Sequence, residues 1–160
     1  MTESSTESAA RAVGGPARVL IVDDDRDIRR LVVDLLLLDG HIAEEAASGL
    51  EALTKLRSGT NPDLVLLDVQ MPDLDGWDTL RTIRGVEGLV SVPVLLCTVK
   101  ARPHDVLLGW ELGCDGYVMK PFSINDLLAE VDLVLTRSDE ERRVQRISMV
   151  KALGDAQRRE

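Results

Sequence analysis

Four apolar, strand-like runs in this chain each end in a residue that can handle a cation or an anion. Arg18-Val-Leu-Ile-Val22 is followed at once by Asp23, Asp24 and Asp25, and Leu64-Val-Leu-Leu67 by Asp68. A run over 92–97 leads to Thr98, and Tyr117-Val-Met119 leads to Lys120. Carboxylates brought close together repel, so they resist ionising jointly unless a cation neutralises them. Oxygen donors without His or Cys select a hard cation. Mg²⁺ fits, because it takes one or two carboxylates and keeps several waters. A lysine beside them balances the remaining charge or holds an anion, and a threonine hydroxyl can bond a phosphoryl oxygen. The set predicts a metal-assisted phosphoryl site. Asp68, the lone acid at its strand end, is the expected nucleophile.

These residues converge only if the elements between them bring the strand ends together. Arg18–Val22 is short, apolar and β-branched, flanked by Pro16 and the acids, which predicts a buried strand. Ile28, Leu31, Val32, Leu35 and Leu36 follow at helical spacing and stop at Gly40. A weak edge strand is expected over 41–45, then a helix N-capped by Ser48 and ending at Ser58-Gly59. Buried strands follow at 64–67 and 92–97, the second with Pro93 near its start, and a short one at 117–119. Helices are expected over 77–84 and 103–112, and after Ser123 with Leu127, Leu128, Val131, Val134 and Leu135 on one face. Five strands alternating with five helices predict an α/β fold, a doubly wound, mostly parallel sheet covered on both faces. Right-handed crossovers then place all strand C-termini at one edge, where such sheets bind ligands.

Length and composition set the frame. At roughly 150 residues per domain, 160 residues make one domain with tails. Residues 1–16 read as a flexible leader, 17–136 as the domain, and 137–160 as a charged helix or tail. The content of 44% hydrophobic and 29% charged residues is that of a globular protein and excludes a disordered chain or a collagen. Two cysteines exclude a disulfide scaffold and predict a reducing compartment. The start lacks the apolar stretch of a signal peptide, and no transmembrane run is present, so a cytoplasmic location with no membrane contact is expected. Net charge is −9, concentrated in the domain. That acidity argues against direct nucleic-acid binding through phosphates, although the slightly basic tail leaves a weak opening.

The motifs together resemble the response-regulator receiver domain of two-component signalling, CheY-like and single-domain. The matching stretches are Val19-Leu-Ile-Val-Asp-Asp-Asp25, Leu66-Leu-Asp68-Val-Gln-Met-Pro-Asp-Leu-Asp-Gly76, Val94-Leu-Leu-Cys-Thr98 and Gly116-Tyr-Val-Met-Lys-Pro-Phe122. Each is weak alone; the four in order, with near-family spacing, are specific. The resemblance implies a flavodoxin-like (βα)5 fold with strand order 2-1-3-4-5. It implies Asp68 as phosphoacceptor from a sensor histidine kinase or His-phosphotransfer protein. It implies Asp23 and Asp24 as the acidic metal pair. Asp24, Asp68 and the backbone carbonyl of Gln70 would ligate Mg²⁺ or Mn²⁺. Thr98 and Lys120 would contact the phosphoryl group, and a cis Lys120–Pro121 bond would aim the lysine inward. Apart from modification and loss of phosphate at Asp68, no enzymatic activity is implied.

The resemblance also implies an output face on the fourth helix, fifth strand and fifth helix, where Thr98 and the aromatic Tyr117 respond to phosphorylation. Val106 and Trp110 lie four apart, on one face of the fourth helix. With Tyr117 they form an expected exposed patch for a downstream protein or a homodimer; alternatively, Trp110 packs under the Tyr117 loop. Val99 stands where the family usually has a small residue, and Arg102-Pro103-His104 makes the following loop unusual. In residues 138–160, Val144, Ile147, Val150 and Leu153 at spacings of three are compatible with a helix, for dimer or partner contact, or with a frayed tail. No length is left for an output domain, so the chain either signals by protein contact or is an excerpt. A phosphate-independent binding module and an Asp-nucleophile phosphatase are the competing readings. The latter lacks a further acid/base carboxylate near Asp68 and a capping insertion.

The remaining polar groups have plainer expected roles. Asp25 or Asp27 caps the first helix, and Asp73 and Asp75 shape the turn before Gly76. His41 and His104 face solvent without metal-ligand partners. Cys97 packs in the core, and Cys114 is inert.

Overall fold

A computed structural model describes residues 15–159; the expected leader, 1–16, lies almost wholly outside them. Five strands, β1 (Arg18–Val22), β2 (Ile42–Ala46), β3 (Leu64–Leu67), β4 (Val94–Thr98) and β5 (Gly116–Met119), alternate with α1 (Arg26–Leu38), α2 (Gly49–Arg57), α3 (Gly76–Gly85), α4 (Pro103–Glu111) and α5 (Ile124–Thr136). A sixth helix, α6 (Asp139–Arg158), follows. All strand pairs are parallel, in the order β2-β1-β3-β4-β5. This is the doubly wound fold expected from the sequence.

Alternation along the strands divides the core in two. Leu20, Val22, Val65, Leu67, Val94 and Leu96 point to one side of the sheet, where α2, α3 and α4 contribute Leu53, Leu56, Leu80, Ile83 and Trp110. Val19, Ile21, Leu64, Leu66, Leu95 and Cys97 point to the other, against Val32 and Leu36 of α1 and Leu127, Val131 and Val134 of α5. Burial on both faces is why the inner strands read as unbroken apolar runs. The edge strand β2 instead carries Glu44 and Glu45, which pair with Arg18, Arg29 and Arg30. Charge on an edge discourages pairing with another chain.

The caps follow the local chemistry. Asp25 accepts from the backbone N–H groups of Asp27 and Ile28, and Ser48, Asp75 and Ser123 cap α2, α3 and α5 in the same way. Pro93 stands just before β4 rather than within it, because Val65 pairs with Val94 at the start of the ladder.

Two expectations about the surface are corrected. Residues 139–158 form a 20-residue helix with a Ser138–Glu141 capping box, and this helix packs along α4. Its inward side is not the Val144–Ile147–Val150–Leu153 series: Val144 and Ile147 are 54% and 60% exposed, whereas Met149, Val150 and Leu153 join the core under α3 and α4. In consequence the Val106–Trp110–Tyr117 patch is not open. Trp110 is only 6% exposed, and Val106 and Tyr117 are half-buried.

Candidate functional site

The C-terminal ends of β1, β3, β4 and β5 meet at one edge of the sheet. Asp23 and Asp68 are locked there by the ladder itself: the Asp68 N–H donates to the Val22 carbonyl at 3.0 Å, and the Asp23 N–H to that of Ala46 at 3.2 Å. Asp23, Asp24 and Asp68 each offer a carboxylate oxygen within 4.8 Å of the others. Asp23 and Asp68 are buried, and Asp24 is exposed. Lys120 reaches across from β5, its Nζ 2.6 Å from Asp23 Oδ2 and 3.4 Å from Asp68 Oδ2. Its peptide bond to Pro121 is cis, and its backbone N–H is tied to the Thr98 carbonyl at 2.8 Å. Thr98 is fully buried at the end of β4, and its Oγ1 accepts from the Lys100 N–H at 3.2 Å. Gln70 is exposed, and its N–H donates to Asp68 Oδ1 at 3.2 Å. Val99 is half exposed.

Electrostatics follow from this packing. Burial pushes the Asp68 carboxyl above its usual value; Lys120 pulls it back, but the neighbouring Asp23 adds to the rise. Burial also disfavours the Lys120 ammonium. Its hydrogen bond to Asp23 and the charges of Asp68 and Asp23 outweigh that, so its pKa lies above the usual lysine value. Cys97 lies on the wall of the narrow space between Asp23, Asp68 and Lys120, and burial pushes its thiol up to about 12. It is a packing residue there, not a nucleophile. Three carboxylates against one ammonium leave an excess of negative charge, all on oxygen. That donor set fits a hard divalent cation.

Two features of the site had no role assigned to them from the sequence. A Cβ on Gly76 would stand 2.3 Å from the Asp68 carbonyl oxygen, so only glycine lets the start of α3 lie against the backbone that carries the acid. An open depression of about 430 Å³ is lined by Gln70, Met71, Asp75, Trp77 and Lys100. Asp75 belongs to the α3 cap, and Asp73 takes a positive φ of 65° in the same turn, as expected of turn-shaping acids.

His41 does not face solvent. It is 8% exposed, and its Nδ1 accepts from the Ala17 N–H at 3.0 Å, closing the base of β1 under the end of α1. Asp39 and Asp132 stand close enough to form a metal-sized group with it. The tautomer argues otherwise: an accepting Nδ1 leaves the proton on Nε2, which is 3.3 Å from Asp39 Oδ2 and offers no lone pair to a metal. His104 is exposed, as expected, and Cys97 and Cys114 are buried and free.

With the geometry in place, comparison with known proteins gives the family. The response regulator receiver domain matches residues 19–132. The chain belongs to that family and is a receiver domain of two-component signalling. It is 43% identical over 122 residues to the transcriptional regulatory protein CpxR homolog of Haemophilus influenzae, covering 76% of this chain and 52% of that protein. It is 40% identical over 124 residues to the DNA-binding response regulator MtrA of Mycobacterium tuberculosis, covering 78% and 53%. The chain thus spans about half the length of the curated relatives it matches. Among solved structures it is similar to the chemotaxis protein CheY4 of Vibrio cholerae, with TM-score 0.71, 33% identity, and 76% of this chain and 100% of that one covered. A response regulator from Chloroflexus aurantiacus gives TM-score 0.72 and 31% identity, with 76% and 99% covered. Among the described residues no helix is long and apolar enough to cross a membrane.

Proposed function

We propose that this domain is a phosphoacceptor switch in which Asp68 takes a phosphoryl group from the phosphohistidine of a sensor histidine kinase or phosphotransfer protein. A carboxylate oxygen of Asp68 attacks phosphorus, the nitrogen–phosphorus bond breaks, and the imidazole leaves with that bond's electron pair. The observation that carries this reading is the convergence of Asp23, Asp24, Asp68 and Lys120, from three strand ends, within ion-pair distances. Burial favours the nucleophile's reaction, because a desolvated carboxylate held by fixed partners needs little reorganisation to attack.

Each residue has a part. Lys120 neutralises the acid pair at rest and holds a phosphoryl oxygen afterwards, and the Thr98 hydroxyl holds another. Asp23, Asp24, Asp68 and the backbone carbonyl of Gln70 would hold Mg²⁺ or Mn²⁺, which when bound supplies the positive charge that lets a trianionic cluster meet a phosphate. Tyr117 connects the site to the far side of β5: its hydroxyl donates to the carbonyl of Lys100, the residue whose N–H binds Thr98. A change at Thr98 is therefore felt at Tyr117, which lines the α4–β5–α5 face beside Val106 and Trp110. That face is the proposed contact for a downstream protein or a second copy. Two free, buried cysteines accord with a cytoplasmic setting.

The test is intact-mass spectrometry after incubation with acetyl phosphate and Mg²⁺. Wild type should gain the mass of one phosphoryl group only when Mg²⁺ is present, and Asp68→Asn should gain none. Wild type that binds Mg²⁺ but gains no mass would sink the reading. In the same assay Val99→Ala should change the rate of gain or loss if the β-branched side chain limits entry to Asp68.

A further inference from the structure

At the N-terminal edge of the sheet the fold holds His41 in a single protonation state. The ring is buried where the turn after α1 enters β2. Its Nδ1 accepts from the Ala17 N–H at 3.0 Å, and an accepting ring nitrogen carries no proton. The neutral ring therefore bears its proton on Nε2. That donor is buried and has no hydrogen-bond partner, although Asp39 Oδ2 lies 3.3 Å away. A buried donor left unpaired carries a cost.

A second proton can enter the ring only at Nδ1, where the Ala17 hydrogen already points. The imidazolium sets one N–H against another, so it is incompatible with the Ala17 bond. The charges around the ring nevertheless favour the imidazolium. Asp39, at the C-cap of α1, and Asp132, on α5, each offer a carboxylate oxygen within 4.8 Å of the other and of a ring nitrogen. Both acids are exposed. On β1 the Arg18 guanidinium turns to Glu44 of β2 at 3.5 Å. Asp63, just before β3, accepts from the Arg18 N–H at 2.9 Å. Carboxylates beside a histidine favour its charged form, and here that form is reached only by giving up a backbone hydrogen bond.

We propose that His41 is an acid-operated latch on the start of β1. Neutral, it holds the Ala17 N–H. Protonated from solvent at Nδ1, it releases that group and pairs as a cation with Asp39 and Asp132. Ala17 is 1% exposed, and its carbonyl accepts from the Ile42 N–H at 2.7 Å, where β1 and β2 begin to pair. An N–H that loses its acceptor in such a place must find water. Ala17 therefore opens to solvent, and the chain leading into β1 opens with it. The latch lies at the opposite edge of the sheet from Asp68, so it stands or falls apart from the phosphoacceptor reading.

The test is NMR on the full chain at about pH 8 and about pH 5, the span over which an ordinary histidine changes charge. Ring ¹⁵N shifts read the protons on His41, and amide exchange, corrected for the intrinsic rate, reads the Ala17 bond. At the higher pH, Nδ1 should be bare and Ala17 protected. At the lower pH both ring nitrogens should carry protons, and Ala17 protection should fall by about ten-fold or more. The Val65 N–H, bonded to the Pro93 carbonyl at 2.9 Å, should keep its protection. His41→Asn offers an acceptor near the Nδ1 position that takes no proton, and should hold Ala17 at both pH values. Asp39→Asn/Asp132→Asn should move the change to lower pH. A ring still neutral at the lower pH, or a charged ring with Ala17 still protected, would overturn the proposal. So would the same loss of protection in His41→Asn, or an equal loss at Val65, which is general acid unfolding. Should a variant not fold, the wild-type ring shifts and exchange decide alone.

Discussion

The two ends of the same parallel sheet each gather buried ions, but to opposite effect. At the C-terminal edge three carboxylates share one ammonium, Lys120. At the N-terminal edge a single carboxylate, Asp115, is shared by two guanidiniums and a backbone N–H. Arg84 fills out that second cluster by donating to the carbonyls of Gly113 and Val92, at 2.9 and 2.7 Å. There both oxygens of the carboxylate have protein partners, and the cluster ties β4, the start of β5, α3 and α6 together. At the other end the excess is of negative charge, three carboxylates to one ammonium, and on the proposed reading a cation meets it. On the proposed reading the Asp115 cluster is structural and the acid-rich one serves phosphoryl transfer.

The largest expected effect falls on the Asp115 end. Asp115→Ala strands two arginines, one of them held below its usual pKa by burial despite Asp115 itself, and should cost about 3–5 kcal/mol in urea unfolding. A loss of less than a third of that would mean the cluster is not a clamp. Next in size is the cation. Mg²⁺ at ten times its Kd should stabilise wild type by about 1.4 kcal/mol. Asp24→Ala should lose that gain, and Arg146→Ala should keep it. Equal loss in both would erase the distinction between the two ends.

The third prediction concerns sign. The folded Asp68 carboxyl titrates above its ordinary value of 3.8, burial being the largest cause. The folded state therefore prefers the acid form, and Asp68 takes stability away as pH rises from that value through its raised folded pKa. Without Mg²⁺, Asp68→Asn should be more stable than wild type at pH 7, and the gap should close as the pH is lowered towards 4. A gap that widens on acidification would refute the assignment of excess charge to this end. The smallest effect is chemical. Cys97, pushed up to about 12, and Cys114, raised further by its burial, should resist iodoacetamide in the native state at pH 8 and react only on unfolding. Fast labelling of Cys97 would show the acid pocket to be wetter and more open than its walls indicate.

Much of the acid-rich end was legible in the chain. The runs 18–22 and 64–67 are the strands to the residue, because burial on both faces leaves no choice of residue type. Crossover handedness then carries Asp23, Asp68, Thr98 and Lys120 to one edge whatever the details of packing. The caps at Asp25, Ser48 and Ser123 are local hydrogen bonds between residues two or three apart, so they too are written in short stretches. Gly76 and the depression beside Gln70 carry no such signal, because each arises from a close approach between elements.

The other end was decided by tertiary structure. Asp115 meets Arg84 and Arg146 across 31 residues in each direction, and no periodicity connects them. The docking of α6 was misread because its contact face is half polar: a hydrophobic count favours Val144 and Ile147, which face water, over Gln145 and Arg146, which do not. Trp110 borders a groove beside α6, and His41 accepts from the Ala17 N–H 24 residues away, so the burial of each involves residues far off in the chain. The amino-acid order alone determined the strands, their caps and the acid-rich edge, since those follow from local chemistry and chain chirality. Which surfaces remain open was settled only by long-range pairing of polar groups, whose affinity for one another exists only once burial has removed the water.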